Sequence, residues 1–184
     1  MKKIILIFLI YFLQFLNLSS IEPKLEEVIK GLNNPWSLSF MTDNNILITE
    51  KSGSLLKINL TNKKINKFTH NLNILEDGQG GLLEVLFKNN EIYVSYSENR
   101  GEGKSSTSVA RATIKKRDLN FKNIFRAEPP INSGYHFGSR LVVKDNYLFI
   151  TAGERGQGMI AQDPKKHPGS IIRVHLDGSV PANN

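Results

Sequence analysis

The 184-residue chain contains no cysteine. Disulfide frameworks, thiol catalysis and cysteine zinc sites are therefore excluded, and core packing alone must hold the fold. Tryptophan occurs once, at Trp36, which argues against a lectin with an aromatic platform in every repeat. The formal charge is +7, yet no five basic residues run together and no aromatics are interleaved with them. Lys51, Lys57, Lys63, Lys64, Lys115, Lys116, Lys165 and Lys166 read as solvated faces, and no nucleic-acid partner is expected. Beyond the N-terminus no segment keeps an apolar 3.6-residue period for three turns, so long amphipathic helices are not expected. A dinucleotide fingerprint, a phosphate-binding loop and a Gly-x-Ser-x-Gly elbow are all missing. So is any His-x-x-x-His or Glu-x-x-His spacing that would announce a transition metal.

Long hydrophobic runs are also scarce. The N-terminal run from Ile4 to Leu16, broken by Gln14, follows Lys2-Lys3 and gives way to Asn17 and Ser19-Ser20. Basic mouth, short apolar core and small residues are the layout of a secretory signal over residues 1–20. The run is shorter than the ~20 residues a membrane-spanning helix needs. With no Ala-x-Ala pattern at the cut site, an uncleaved anchor is the alternative. Export to the periplasm or medium is the expected location. Loss of Lys2 and Lys3 takes the charge from +7 to +5 for the domain over residues 21–184.

That domain reads as all-β. Short stretches rich in Ile, Val, Leu and Tyr alternate with Gly, Asn, Asp and Ser. Leu25–Lys30 is expected to be the first strand. Three units then follow one plan: strand, tight Asn turn, strand ending in Ser or Thr, Gly-rich loop, strand. They begin at Trp36, Leu82 and Arg140, and their hydroxyl residues Thr49, Ser95 and Thr151 lie 46 and 56 residues apart. Such spacing matches the ~40 to 50 residues of one β-propeller blade. About three four-stranded blades are predicted, too few to close a ring of ~4 to 8. Further blades or association of copies would have to cover the open edges.

Three loops are richer in Gly, Gln and His than connections require: Asp77–Gly81, Asn132–Gly138 and Gly153–Gly158. His136 stands out, because an imidazole is the side chain best suited to take a proton near neutral pH. A loop histidine bonded to backbone is the structural alternative. His70 reads as part of a polar loop, His175 as strand, and His167 as part of the turn before Pro168-Gly169. Arg140 and Arg155 can stabilise an anionic cofactor or a developing charge, or they can pair with Asp145, Asp163 or Glu154. Gln79, Gln157 and Gln162 are hydrogen-bonders of the kind sugar sites use.

Five stretches then occur in the order found in one family: Gly31–Leu38, Gly78–Leu83, His136–Leu141, Ala161–Asp163 with His167–Gly169, and Leu176–Pro181. The chain resembles the N-terminal half of the glucose/sorbosone dehydrogenases, soluble or periplasmic aldose dehydrogenases that use pyrroloquinoline quinone (PQQ). The resemblance implies a six-bladed propeller with the quinone over its channel. It implies that His136 is the general base, that Gln79 and Tyr135 meet the sugar, and that Arg140, Arg155 and Gln157 meet the cofactor. It also implies a lactone product, an external electron acceptor, and calcium held by residues of later blades, so no metal ligand is assigned in this chain. Ser139 stands where the family has glycine, and Glu154 where it usually has aspartate. A truncated, inactive propeller serving as an extracytoplasmic binding module is the competing function.

Overall fold

A computed structural model of the chain describes residues 22–184, so the predicted signal lies outside the described residues. Residues 22–30 form a separate unit with no regular structure, and Leu25 is 93% exposed. The strand expected at Leu25–Lys30 is therefore absent. Glu26 and Glu27 interrupt the apolar residues, and among the described residues no strand pairs with the backbone there.

Residues 31–184 form the second unit, an all-β array of three sheets. The first comprises β1 (Pro35–Thr42), β2 (Asn45–Glu50), β3 (Leu55–Asn59) and β4 (Ile65–His70), a consecutive antiparallel meander. The second comprises β5 (Leu82–Lys88), β6 (Glu91–Asn99), β7 (Ser105–Thr113) and β9 (Lys122–Arg126). Between β7 and β9, the short β8 (Asp118–Leu119) crosses back to pair in parallel with β4. The third contains β10 (Gly138–Lys144), β11 (Tyr147–Ala152) and β12 (Ile171–His175), with a 3-10 turn at Gly158–Gln162 before β12. The sheets thus hold five, four and three strands rather than four each: β8, from the segment between β7 and β9, joins the first sheet, and the third has no fourth strand among the described residues. His70 closes β4 instead of lying in a loop, and its Nε2 meets the Gly53 carbonyl at 2.7 Å.

Strand period explains where the cores form. Alternate residues point to opposite faces, and each sheet packs its trailing face on the leading face of the next. Leu47, Leu55 and Phe68 of the first sheet join Val85, Ile92 and Val94 of the second. Tyr93 and Val109 of the second join Leu141, Leu148 and Ile150 of the third.

The repeated hydroxyls have a physical task. Each first strand shifts register near its start, over Pro35/Ser37, Leu82/Val85 and Gly138/Leu141, and a bulge frees a backbone group from the ladder. Ser95 Oγ accepts the Glu84 N–H at 3.0 Å and donates to the Ser139 carbonyl of the next blade at 2.6 Å. Thr49 donates likewise to the Leu83 carbonyl, and Thr151 accepts the Arg140 N–H at 2.9 Å. Thr49 and Ser95 of the motif that marks the repeat therefore stitch adjoining blades together, while Thr151 bonds within its own blade.

Candidate functional site

All three glycine-rich loops meet at one end of the array. Strand polarity requires this, since the Asp77–Gly81 and Asn132–Phe137 loops precede first strands and the Gly153–Gly158 loop follows a second strand. The Gln79 N–H donates to the Gly134 carbonyl at 2.7 Å, and the Gln79 side-chain oxygen accepts the His136 N–H at 2.9 Å. Gly153 lies so close beneath His136 that a Cβ there would stand 1.8 Å from the His136 carbonyl oxygen. Glycine is obligatory at that position because no side chain fits the approach.

His136 itself adopts the left-handed region, with φ of 50°. A non-glycine residue there signals a geometry imposed by its surroundings. The ring is 54% exposed and its Nδ1 hydrogen-bonds to Glu154 Oε1. This bond, more than any other influence, holds the Glu154 carboxyl below its ordinary range. An ionised carboxylate can only accept, so this bond takes its proton from Nδ1. In the neutral ring that arrangement puts the lone pair on Nε2, the tautomer a general base requires. The Glu154 arm, one methylene longer than aspartate, reaches the ring and also accepts the Gly156 N–H at 3.1 Å. Ser139, two residues past Phe137, has φ of 72° and is 1% exposed, which gives a physical reason for glycine at that place.

Arg155 does not share this exposure. It is 3% exposed, with its Cζ 3.6 Å from the centroid of the Phe137 ring. Nε donates to the Tyr135 carbonyl at 2.8 Å, Nη1 to the Ser105 carbonyl at 3.0 Å, and Nη2 to Ser105 Oγ and the Ser133 carbonyl. Burial pulls its guanidinium down to about 10. The expected cofactor contact is corrected here: its donors are spent underneath the His136 loop, which Arg155 clamps to β7.

The remaining predicted residues divide. Tyr135 is 61% exposed beside His136, its ring centroid 6.2 Å from the imidazole. Arg140 is exposed, and its guanidinium pairs with Glu84 rather than with Asp145 or Asp163. Glu84 also accepts from Ser37 Oγ at 2.9 Å, so one carboxylate links the first strands of all three sheets. Gln157 is exposed on the turn, where its N–H donates to the Glu154 carbonyl at 3.0 Å. Glu84 and Ser105 carry no motif that would mark them in sequence; both matter only through contacts some 50 residues away.

Of the residues expected to meet a planar, acidic quinone, Tyr135 presents an exposed ring beside the imidazole, and the exposed guanidinium of Arg140 is already paired with Glu84. Among the described residues no three His, Asp or Glu side chains cluster as a metal site.

The family model for glucose/sorbosone dehydrogenase matches residues 32–184. Aldose sugar dehydrogenase YliI of Escherichia coli is 34% identical over 163 residues, covering 83% of this chain and 44% of the relative. The crystal structure of the soluble E. coli aldose sugar dehydrogenase in its apo form superposes with a TM-score of 0.81 at 34% identity, over 86% of this chain and 49% of the other. Quinoprotein glucose dehydrogenase B of Acinetobacter calcoaceticus is 27% identical over 85% of this chain and 40% of its own length. The PQQ-bound aldose sugar dehydrogenase of Streptomyces coelicolor, at 20% identity and a TM-score of 0.76, shares the fold. The chain spans about half the length of the relatives it matches. With the propeller blades, the loop order and the family model in agreement, this chain belongs to the glucose/sorbosone dehydrogenase family.

Proposed function

We propose that the His136 loop is part of the site at which an aldose is oxidised to its lactone. The observation that carries the proposal is the convergence of Gln79, His136 and Glu154 from three separate loops, with the imidazole half-exposed. Nε2 of His136 accepts the proton of the anomeric hydroxyl as the C–H bond of the same carbon breaks. Glu154 holds the ring orientation and stabilises the imidazolium that forms, and Gln79 fixes the His136 backbone. PQQ, when bound, supplies the ring that takes up the hydride. Tyr135 lies where it can pack against a sugar face, and Arg140 where it can offset cofactor charge. Gln157, at the rim, completes the set of residues offered to cofactor or substrate.

Calcium and the remaining cofactor contacts belong, on this reading, to a part of the propeller outside this chain. An external acceptor would reoxidise the quinone. Residues 1–20 would direct export to the periplasm or medium, where such sugars and acceptors meet the enzyme.

Reconstitution with PQQ and calcium, followed by dye reduction with several aldoses, tests the reading. Sugar-dependent reduction that disappears in His136→Ala supports it. No reduction, together with no quinone binding in a titration, would make this polypeptide a binding module instead.

A further inference from the structure

Cations that are scattered in sequence gather at the opposite end of the first blade. Lys57, Lys64, Lys67, Lys115, Lys116 and Arg117 line a groove of about 470 Å³. Its walls are the outer part of β3 and β4 and the segment that leaves β7 for β8. That segment is fixed rather than loose: the Arg117 carbonyl accepts the Thr69 N–H at 3.0 Å, and the Ile114 N–H donates to the Asn90 carbonyl at 3.2 Å. Asn45 begins β2, and the turn from Asn59 to Lys64 joins β3 to β4. These positions lie at the strand ends remote from His136, so the groove is a separate feature from the sugar site.

The charge in the groove is uncompensated. None of its twelve lining residues is acidic. Among the described residues, every ion pair within 4.0 Å uses other cations, and Arg117 spends one nitrogen on the neutral Asn66 oxygen at 2.7 Å. Asp118, the next residue along, turns to the Thr69 hydroxyl at 2.7 Å instead. Six like charges around one concavity repel each other and focus a positive potential into it. The groove forms where the hairpin of β3 and β4 meets the segment between β7 and β8, so cations distant in sequence line one concavity.

We propose that this groove is a binding site for a compact, phosphate-dense anion. Lysine ammonium groups are flexible point charges suited to phosphate oxygens of varied position, and Arg117 can add a forked contact. Carboxylate ligands of the same size carry fewer charges and match six cations less well. Two sources share the chemistry, a free polyphosphate and the headgroup of an acidic phospholipid, and either would hold the molecule with the His136 end facing away.

Titration calorimetry of the full chain with sodium tripolyphosphate in about 0.1 M salt, where exposed charges more than ~10 Å apart are screened, reads the site directly. Saturable binding is expected, weakened about tenfold or more in the triple variant Lys67→Gln, Lys115→Gln, Lys116→Gln. The control Lys144→Gln, Lys165→Gln, Lys166→Gln removes as much charge elsewhere and should keep the affinity. Circular dichroism checks that both variants are folded. Flotation with phosphatidylglycerol vesicles distinguishes the sources: vesicle capture that tripolyphosphate competes away points to the headgroup, and tripolyphosphate binding without capture points to the free anion. Absence of saturable binding, or equal loss in the two triple variants, would overturn the proposal.

Discussion

Equivalent positions of the repeat meet opposite fates. Leu55, Val109 and Ile171 each lie on the third strand of their sheets, opposite the repeated hydroxyl. The first two are fully buried, whereas Ile171 is 74% exposed. On the leading side, Val85 and Leu141 are 1% and 5% exposed, but Leu38 at the same register is 54% exposed. Trp36 and Phe40 share that open face. Residue type is similar throughout; what differs is whether another sheet lies against the side chain. Stability in this architecture therefore resides between blades, and a strand's own pattern does not reveal how much its apolar face contributes.

The sharpest way to break that comparison is to truncate both kinds of position. Leu55→Ala should destabilise by about 2–5 kcal/mol, the range for emptying a packed core site. Ile171→Ala should stay within about 0.5 kcal/mol, as surface changes do. Urea denaturation of both measures the gap, and equal costs would sink the idea. The repeated hydroxyls give a second contrast. Ser95→Ala should cost about 1–3 kcal/mol, because the Ser139 carbonyl and Glu84 N–H both lose a partner. Thr151→Val deprives the Arg140 N–H alone and should cost less on the same denaturation scale.

Acid should probe the middle sheet selectively. Burial by itself would raise the Glu98 carboxyl, but hydrogen bonds from Arg126 and Ser108 and the charge of Arg126 outweigh it and leave Glu98 below its ordinary 4.5. Its contribution is then fully present above about pH 4.5, the unfolded value. It is lost as pH falls through the lower folded value, because unfolding takes up a proton there. Glu98→Gln should flatten the fall in thermal midpoint over that acidic range. The fully exposed Asp177, substituted by Asn, should leave the Glu98-dependent fall in place. The smallest expected effect is a gain: Ser139→Gly removes a side chain from a left-handed position and should stabilise by about 1 kcal/mol, read as a rise in melting temperature.

Much of this was legible in the chain. Apolar alternation, Asn turns and the spacing of Thr49, Ser95 and Thr151 specify strands and their repetition, because period and turn chemistry act over a few residues. His136 and Gln79 were visible for the same reason, as unusual residues in short glycine-rich loops. Arg155 was misread as facing a cofactor. Its neighbours in sequence are polar loop residues, whereas its partners, Ser105, Ser133 and Tyr135, lie 20 to 50 residues away. The absent strand at Leu25–Lys30 shows the converse, since apolar residues do not make a strand without a partner to complete the ladder.

By itself the sequence determined the all-β class, the repeat and the residue types available for proton transfer, all of which depend on local pattern. Only the tertiary structure decided which residues meet. It turned Arg155 inward, set Glu154 on His136, joined three blades through Glu84, and collected lysines from distant segments into one groove. The physical reason is that these contacts form when separate strands and loops close on one another, and a side chain's surroundings then depend on the packing of sheets rather than on its neighbours in the chain.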